Sequence, residues 1–311
     1  MPELEIIDAH VHTFPNADFG IRYQRGTGGA DREIVRVGTI EELQGLMKEA
    51  GIFRSIMLNF TPTRYLHEGR MAKMELPADP AELQKVERES QLVMAQRMVD
   101  HNDWQLEVTQ QHPEFINFAG LDPVFMDEEH LIAEIEDKVK RGAKGVKIVL
   151  RALAIYADDP RMTPVYELIS RLGVPITAQV GIHGEAGDRG AYANPKFFEA
   201  ALKQFPDLTV NCVHLGHGFE DEVADLCQRF PNAYTDVSSR LHTVDDPKSG
   251  IDRQWVVDFI RRCGAEHVMF GTNYPGGDPV QYVKILRELA LTDGELELVA
   301  SGNAKRFAKL D

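Results

Sequence analysis

The chain has 311 residues, 43% of them hydrophobic, which is enough to bury a large core; length alone admits one large barrel or two ordinary domains. A net charge of -15 argues against a nucleic-acid or anionic-membrane surface, since either needs a basic stripe and the sequence has none. No run of about 18 apolar residues is present, and the N-terminal "MPELEIID" lacks a basic stretch followed by an apolar one, so no membrane contact and a cytoplasmic location are expected.

In chain order, the first element is "LEIIDAHVHTF", residues 4–14, an apolar strand that ends in Asp8, His10 and His12. Alternation along a strand would put those three side chains on one face and Ile7, Ala9 and Val11 on the other, so the two imidazoles converge. A helix follows from about Thr39, with Glu41 and Glu42 in its first turn, to Gly51 as its stop. After the strand "RSIMLNF" comes "TPTRYLHEGRMAKMELPADP", a loop with prolines, and then a long helix from about Pro80 to Gln111. This insertion reads as a lid or an oligomer contact, and a homo-oligomer is expected.

The strands "FINFAGLDP" and "AKGVKIVL" flank a charged amphipathic helix at about 127–141. "VPITAQV", "LTVNCVH", "AYTDVS" and "HVMFGTNYP" complete eight strand-helix units without a low-complexity linker. Eight such units fit one (β/α)8 barrel over residues 1–311, with an insertion after strand two, better than two doubly wound domains. Cys212, Cys227 and Cys263 are odd in number and lack Cys-x-x-Cys spacing, so they read as reduced core thiols.

In such a barrel all strand ends open onto one face, where catalysis is expected. The ends deliver His10 and His12, Asn59 with Arg64 beyond, Lys147 with Arg151 beyond, Gln179, His214 and His217, Asp236 with Arg240 beyond, and Asn273. Imidazoles and cations dominate that set. Arg22 and Arg25 follow strand one, and with Arg64, Arg151 and Arg240 they form a ring of guanidinium groups suited to bidentate carboxylate binding. A small acidic substrate, aromatic or derived from an aromatic ring, is therefore expected, with Tyr23, Phe60, Tyr65, Tyr156 and Tyr274 as candidate walls.

The pieces "IDAHVH", "GAKGVKI", "YADDPRMTPVYELISRLGVPITAQVG", "VHLGHG", "FGTNYPGGDP" and "SGNAKRF" run in order from residue 7 to residue 307. Together they resemble the amidohydrolase superfamily, in its family 2 branch with the aminocarboxymuconate-semialdehyde decarboxylase-like proteins. The resemblance implies a metal site with His10 and His12 as ligands, and His214 as the histidine that orients or activates substrate and water. It also implies departures. A third histidine ligand falls on Gln179, and the aspartate that binds metal and moves protons falls on Asn273. Two imidazoles with two amides mix donors for borderline and hard cations, so the implied divalent ion, zinc or manganese, is weakly held or absent. His183 is a substitute ligand or a substrate contact, and Lys147 and Tyr274 are further substrate-binding candidates.

The implied activity is that of a hydrolase or carboxy-lyase, with His214 and Asn273 in the catalytic positions. Two alternatives stay open at the level of sequence: a metal-independent lactonase or lyase on the same barrel, and a catalytically silent binding homologue.

Overall fold

In the computed structural model, which describes residues 4–28, 31, 33–182 and 187–310, the run that ends in two histidines forms strand β1 (Ile7–Val11). Seven strands follow, β2 (Arg54–Leu58), β3 (Phe115–Gly120), β4 (Gly145–Ile148), β5 (Ile176–Ala178), β6 (Val210–Cys212), β7 (Ala233–Asp236) and β8 (Val268–Met269), each paired with the next in parallel. The last meets the first: Ala9 N–H donates to Phe270 O at 2.9 Å, Asn273 N–H to His10 O at 2.8 Å and His12 N–H to Tyr274 O at 2.7 Å. The expected (β/α)8 barrel is the observed fold.

The helices are α1 (Ala17–Gly28), α2 (Ile40–Ala50), α3 (Thr63–Met71), α4 (Pro80–Gln111), α5 (Glu128–Lys140), α6 (Leu150–Leu153), α7 (Thr163–Leu172), α8 (Phe198–Gln204), α9 (Glu220–Arg229), α10 (Arg253–Cys263), α11 (Pro279–Glu288), α12 (Asp293–Glu297) and α13 (Asn303–Ala308). Local chemistry sets their ends. Thr39 caps α2 through Glu42 N–H, and Gly51 ends it in the left-handed conformation that glycine adopts without a Cβ penalty. Asp79 and Asp278 cap α4 and α11, each ahead of a first-turn proline. Two helices were not legible in the sequence. α1 lies between the first strand and α2, and α3 occupies part of the proline-containing loop, where it packs on α4.

One expectation about β1 does not hold. Ile7 and Ala9 pack with Ile56, Leu58, Phe118 and Met269, whereas Val11 joins the larger cluster with Met57, Ile148 and Val210. Strict alternation from Asp8 to His12 is therefore broken. The cause is a register shift between Asp8, opposite Ser55, and Val11, opposite Met57, which inserts one extra residue on β1. Asp8 stabilises the irregularity: its carboxylate accepts from His10 N–H at 3.0 Å, Thr272 N–H at 3.0 Å and Thr272 Oγ1 at 2.6 Å.

The inserted helix α4 is tied to the strand ends by buried polar bonds. Asn102 Oδ1 accepts from Gly120 N–H and Asn59 Nδ2, while Asn102 Nδ2 donates to Gly120 O and Glu134. His101 Nε2–H donates to Thr13 O at 2.9 Å, so α4 also holds the segment after β1. Such fully used side chains fix a position because any shift would leave buried groups unpaired. Cys212, Cys227 and Cys263 are buried free thiols. Among the described residues, no helix is long and apolar enough to cross a membrane.

Candidate active site

Three imidazoles meet above the barrel core. The rings of His10 and His214 stack with centroids 4.8 Å apart, and His12 stands edge-on to His10 at 5.0 Å. His214 opens the turn His214–Gly218, in which every residue has positive φ, from 28° at His217 to 92° at Gly218. For residues with a Cβ this left-handed conformation is costly, and such strain concentrates at functional sites. Glycine at 216 and 218 relieves it where it can, and His214, Leu215 and His217 bear the remainder.

Asp236, at the end of β7, sets the protonation of the histidines. One carboxylate oxygen accepts from His10 Nδ1–H at 3.1 Å and Asn211 Nδ2 at 2.9 Å; the other accepts from His214 N–H, Ser238 N–H and the Ser238 hydroxyl. Burial opposes its ionisation, but His10 and these hydrogen bonds outweigh that cost and hold it well below the usual carboxylate range. Because the Ser238 hydroxyl donates to Asp236, its oxygen accepts from the Nδ1–H groups of His10 at 3.0 Å and His214 at 2.7 Å. His12 donates its Nδ1–H to Leu58 O at 2.9 Å. All three rings therefore carry the proton on Nδ1 and the lone pair on Nε2.

The consequence is sharpest between His10 and His12, whose Nε2 atoms lie 3.3 Å apart with two lone pairs facing each other. Burial lowers the pKa of both rings; at His12 the neighbouring His10 and Lys147 add to it, while at His10 Asp236 opposes it. Neutral imidazoles so placed are cation ligands: bonds of about 2.0–2.1 Å to one ion put two nitrogens roughly 3–3.4 Å apart. His10, His214 and Asp236 also bring donor atoms within 4.8 Å of one another. The five hydrogen bonds on Asp236 make it the partner that orients a ligand rather than the ligand itself. The residues present thus fit a divalent ion, held by His10 and His12.

A cavity of about 250 Å3 opens above this pair and brings together His12, Gln179, His214, Asn273 and Arg151, with Tyr23, Phe60 and Tyr65 on its wall. His12 lies 5.2 Å from the Phe60 ring, which in turn meets Tyr23 at 5.7 Å. Asn273, at φ 58°, donates Nδ2 to Ser239 Oγ at 2.7 Å. Lys147 lies fully buried, reaches Gln179 Oε1 at 3.4 Å, and is pushed down to about 7 by burial against the charge of Asp236.

Other candidates stand elsewhere. Arg64 is committed to Glu68 and to Leu153 O, and Arg240 to Glu220 beneath the Trp255 ring. Tyr274 is buried in the wall with its hydroxyl donating to Glu42, and Tyr156 packs on Tyr192 and Phe197. Arg22 lines a neighbouring cavity. His183 lies outside the described residues. His217 precedes α9 without capping it, and its carbonyl accepts from Ile182 N–H. Ser238, Asn211 and Gln24 were missed in the sequence. For Ser238 the signal was "DVSS" after the seventh strand, and Asn211 is a lone polar residue in an apolar strand.

No functionally curated protein matches this sequence. Solved structures share the fold. An uncharacterised TIM-barrel protein from Bordetella bronchiseptica is 21% identical, with 99% of each chain covered and a TM-score of 0.72. A 5-carboxyvanillate decarboxylase from Sphingomonas paucimobilis is 17% identical over 99% of this chain and 100% of that one, also at 0.72. A dihydroxybenzoic acid decarboxylase from Polaromonas sp. JS666, with bound manganese and the inhibitor 2-nitroresorcinol, is 18% identical over 99% and 98% of the chains, at 0.66. The Amidohydrolase family profile (Amidohydro_2) matches residues 7–310. With the barrel, its strand-end histidines and that match in agreement, the chain belongs to the amidohydrolase family.

Proposed function

We propose that this enzyme is a carboxy-lyase that removes carbon dioxide from a small, ring-bearing acid. The observation that carries the reading is the cavity lining: His12 and the cation Arg151 face a space of about 250 Å3 without a carboxylate among its described lining residues. Hydrolysis asks for a base to activate water; the amides Gln179 and Asn273 do not fill that role, which would leave it to the Nε2 lone pair of His214. Decarboxylation asks for the reverse, a cationic pocket to seat the acid and a group to supply a proton. The fold neighbours described as aromatic-acid decarboxylases, one with manganese and a nitrophenol inhibitor, support the same choice.

In this reading Arg151 pairs with a substrate oxyanion, and Phe60 and Tyr65 flank the ring. His10 and His12 would hold a divalent ion, which when bound would supply a positive centre to polarise the substrate. The bond between the ring carbon and the carboxylate breaks, carbon dioxide leaves, and the electron pair stays on the carbon, which takes one proton. His214, anchored through Nδ1 to Ser238, turns its Nε2 lone pair to the substrate, takes a proton from a ring hydroxyl or from solvent, and passes it to that carbon. Asn273 orients the substrate as a neutral hydrogen-bonding group.

The test is metal analysis of protein purified without chelator, combined with carbon dioxide release from a panel of hydroxylated benzoates with and without added manganese. About one ion per chain and manganese-dependent release are expected. Hydrolysis of a lactone by metal-poor protein, with no acid decarboxylated, would favour the metal-independent alternative and remove this one.

A further inference from the structure

A second cavity, about 530 Å3 and mostly apolar, lies beside the first at the same end of the barrel. The two share Tyr23. The segment after β2 divides them, with Phe60 and Tyr65 lining the inner cavity and their successors Thr61 and Leu66 lining the outer one. The outer cavity also carries Phe19, Arg22, Arg97 and one carboxylate, Asp100, which accepts from Gln96 Nε2 at 2.8 Å. Arg22 donates its Nε–H to the Asp18 carbonyl, and among the described residues neither arginine is paired with a carboxylate. An apolar trough flanked by two guanidinium groups is complementary to an apolar group that ends in an anion.

The geometry points to a two-compartment active site: the substrate's reacting acid group occupies the inner cavity, and an apolar arm passes Tyr23 into the outer one, where a distal anionic group meets Arg22 and Arg97. This inference rests on the reading of the inner cavity as the acid-binding site. Its preferred substrate class is an elongated diacid, two rings or one ring with an apolar chain, bound more tightly than a compact hydroxybenzoate. Adjacency favours this occupant over a separate ligand, because Tyr23 lines both cavities and one short segment after β2 contributes consecutive residues to each.

Two probes separate the inferences. Isothermal titration with salicylate, one ring, and biphenyl-3,4'-dicarboxylate, two rings, should show at least tenfold tighter binding of the second. Arg97→Glu, a change at an exposed position, should erase most of that ratio, and Leu66→Trp, which fills the outer cavity, should do the same. A ratio near one in the wild type, or the same ratio in all three proteins, would overturn the second compartment while leaving the inner reading intact if salicylate binds. If neither acid binds, the inner reading fails, and 1-anilinonaphthalene-8-sulfonate decides the outer cavity alone. Its fluorescence enhancement should drop at least fivefold in Arg97→Glu, and an unchanged signal rejects the site. Sedimentation completes the test: a dimer that dissociates in Arg97→Glu would make this groove an interface between copies and overturn the inference.

Discussion

His10 and His12 present their Nε2 atoms to each other across 3.3 Å, and both lone pairs are fixed there by what the other ring nitrogen donates to, Asp236 for His10 and Leu58 O for His12. The pair can serve as a ligand set only while those two donations persist. The first prediction follows from that dependence.

Asp236→Asn places an amide N–H among five donors, and His10 loses the charged acceptor that favours its proton on Nδ1, with only the Ser238 hydroxyl oxygen left to hold it there. Affinity for manganese or zinc should fall about 10–100-fold by competition titration. Stability should fall by about 3–5 kcal/mol, because a buried charge network loses its centre. The pH dependence has a definite sign. The folded pKa lies below the unfolded value of about 3.9, so the stability Asp236 adds is present above that value and is lost as pH falls through the folded pKa. The gap between wild type and variant should stay flat from pH 8 to 5, and a gap that closes in that range would contradict the assignment.

Lys147 titrates near neutrality. Burial pushes it down to about 7, so it is an ammonium below that pH and an amine above it. If the ammonium strengthens the field that holds an acid substrate, KM should rise as pH is raised through 7, on the order of tenfold, and Lys147→Met should flatten the profile. The same variant should be more stable than wild type by roughly 1–4 kcal/mol at pH 6, with the gain shrinking toward pH 10, where the unfolded lysine also loses its proton. A steep KM profile that survives in Lys147→Met would assign the titration elsewhere.

The arginines should separate. Arg151 lines the inner cavity, and Arg64, bonded to Glu68 and Leu153 O, is not among the residues lining it. Arg151→Ala should raise KM for an acid by about 1.5–3 kcal/mol equivalent, with a smaller change in kcat, since a substrate oxyanion that keeps its charge through the reaction is bound alike in ground and transition states. Arg64→Ala should move KM less than threefold, a factor of about 0.7 kcal/mol. Equal effects from the two variants would refute the division.

The two amides invite a double change. Gln179→His with Asn273→Asp adds an imidazole and an anionic ligand near His10 and His12, and zinc retention against a chelator should rise by several kcal/mol, of order 3–6. Decarboxylation should fall, because the aspartate can no longer donate the hydrogen bond that Asn273 Nδ2 gives Ser239. Tight zinc with undiminished turnover would mean that the amides are losses rather than adaptations. Unchanged zinc affinity would show that these positions do not face the ion.

How much was readable from the sequence depends on the range of the interactions involved. Helix α2 ends where Thr39 and Gly51 predict, and α4 runs from Pro80 to Gln111 as read, because caps, first-turn prolines and apolar spacing act within a few residues. The eight strand-helix units, and with them the barrel, followed from the same local patterns, and the strand ends supplied His10, His12, Gln179, His214, Asn273 and Arg151, which the structure gathers in and beneath one cavity. Tertiary contacts decided the rest. The register shift in β1 depends on Thr272, 264 residues from Asp8; the histidine tautomers depend on Asp236 and Ser238, more than 220 residues from His10. That Arg64 and Arg240 are ion-paired was settled by Glu68 and Glu220, carboxylates whose distance from them in space the sequence does not encode locally. Composition and periodicity determine where side chains emerge from a barrel, and pairing across it determines which lone pairs and charges they still have to offer.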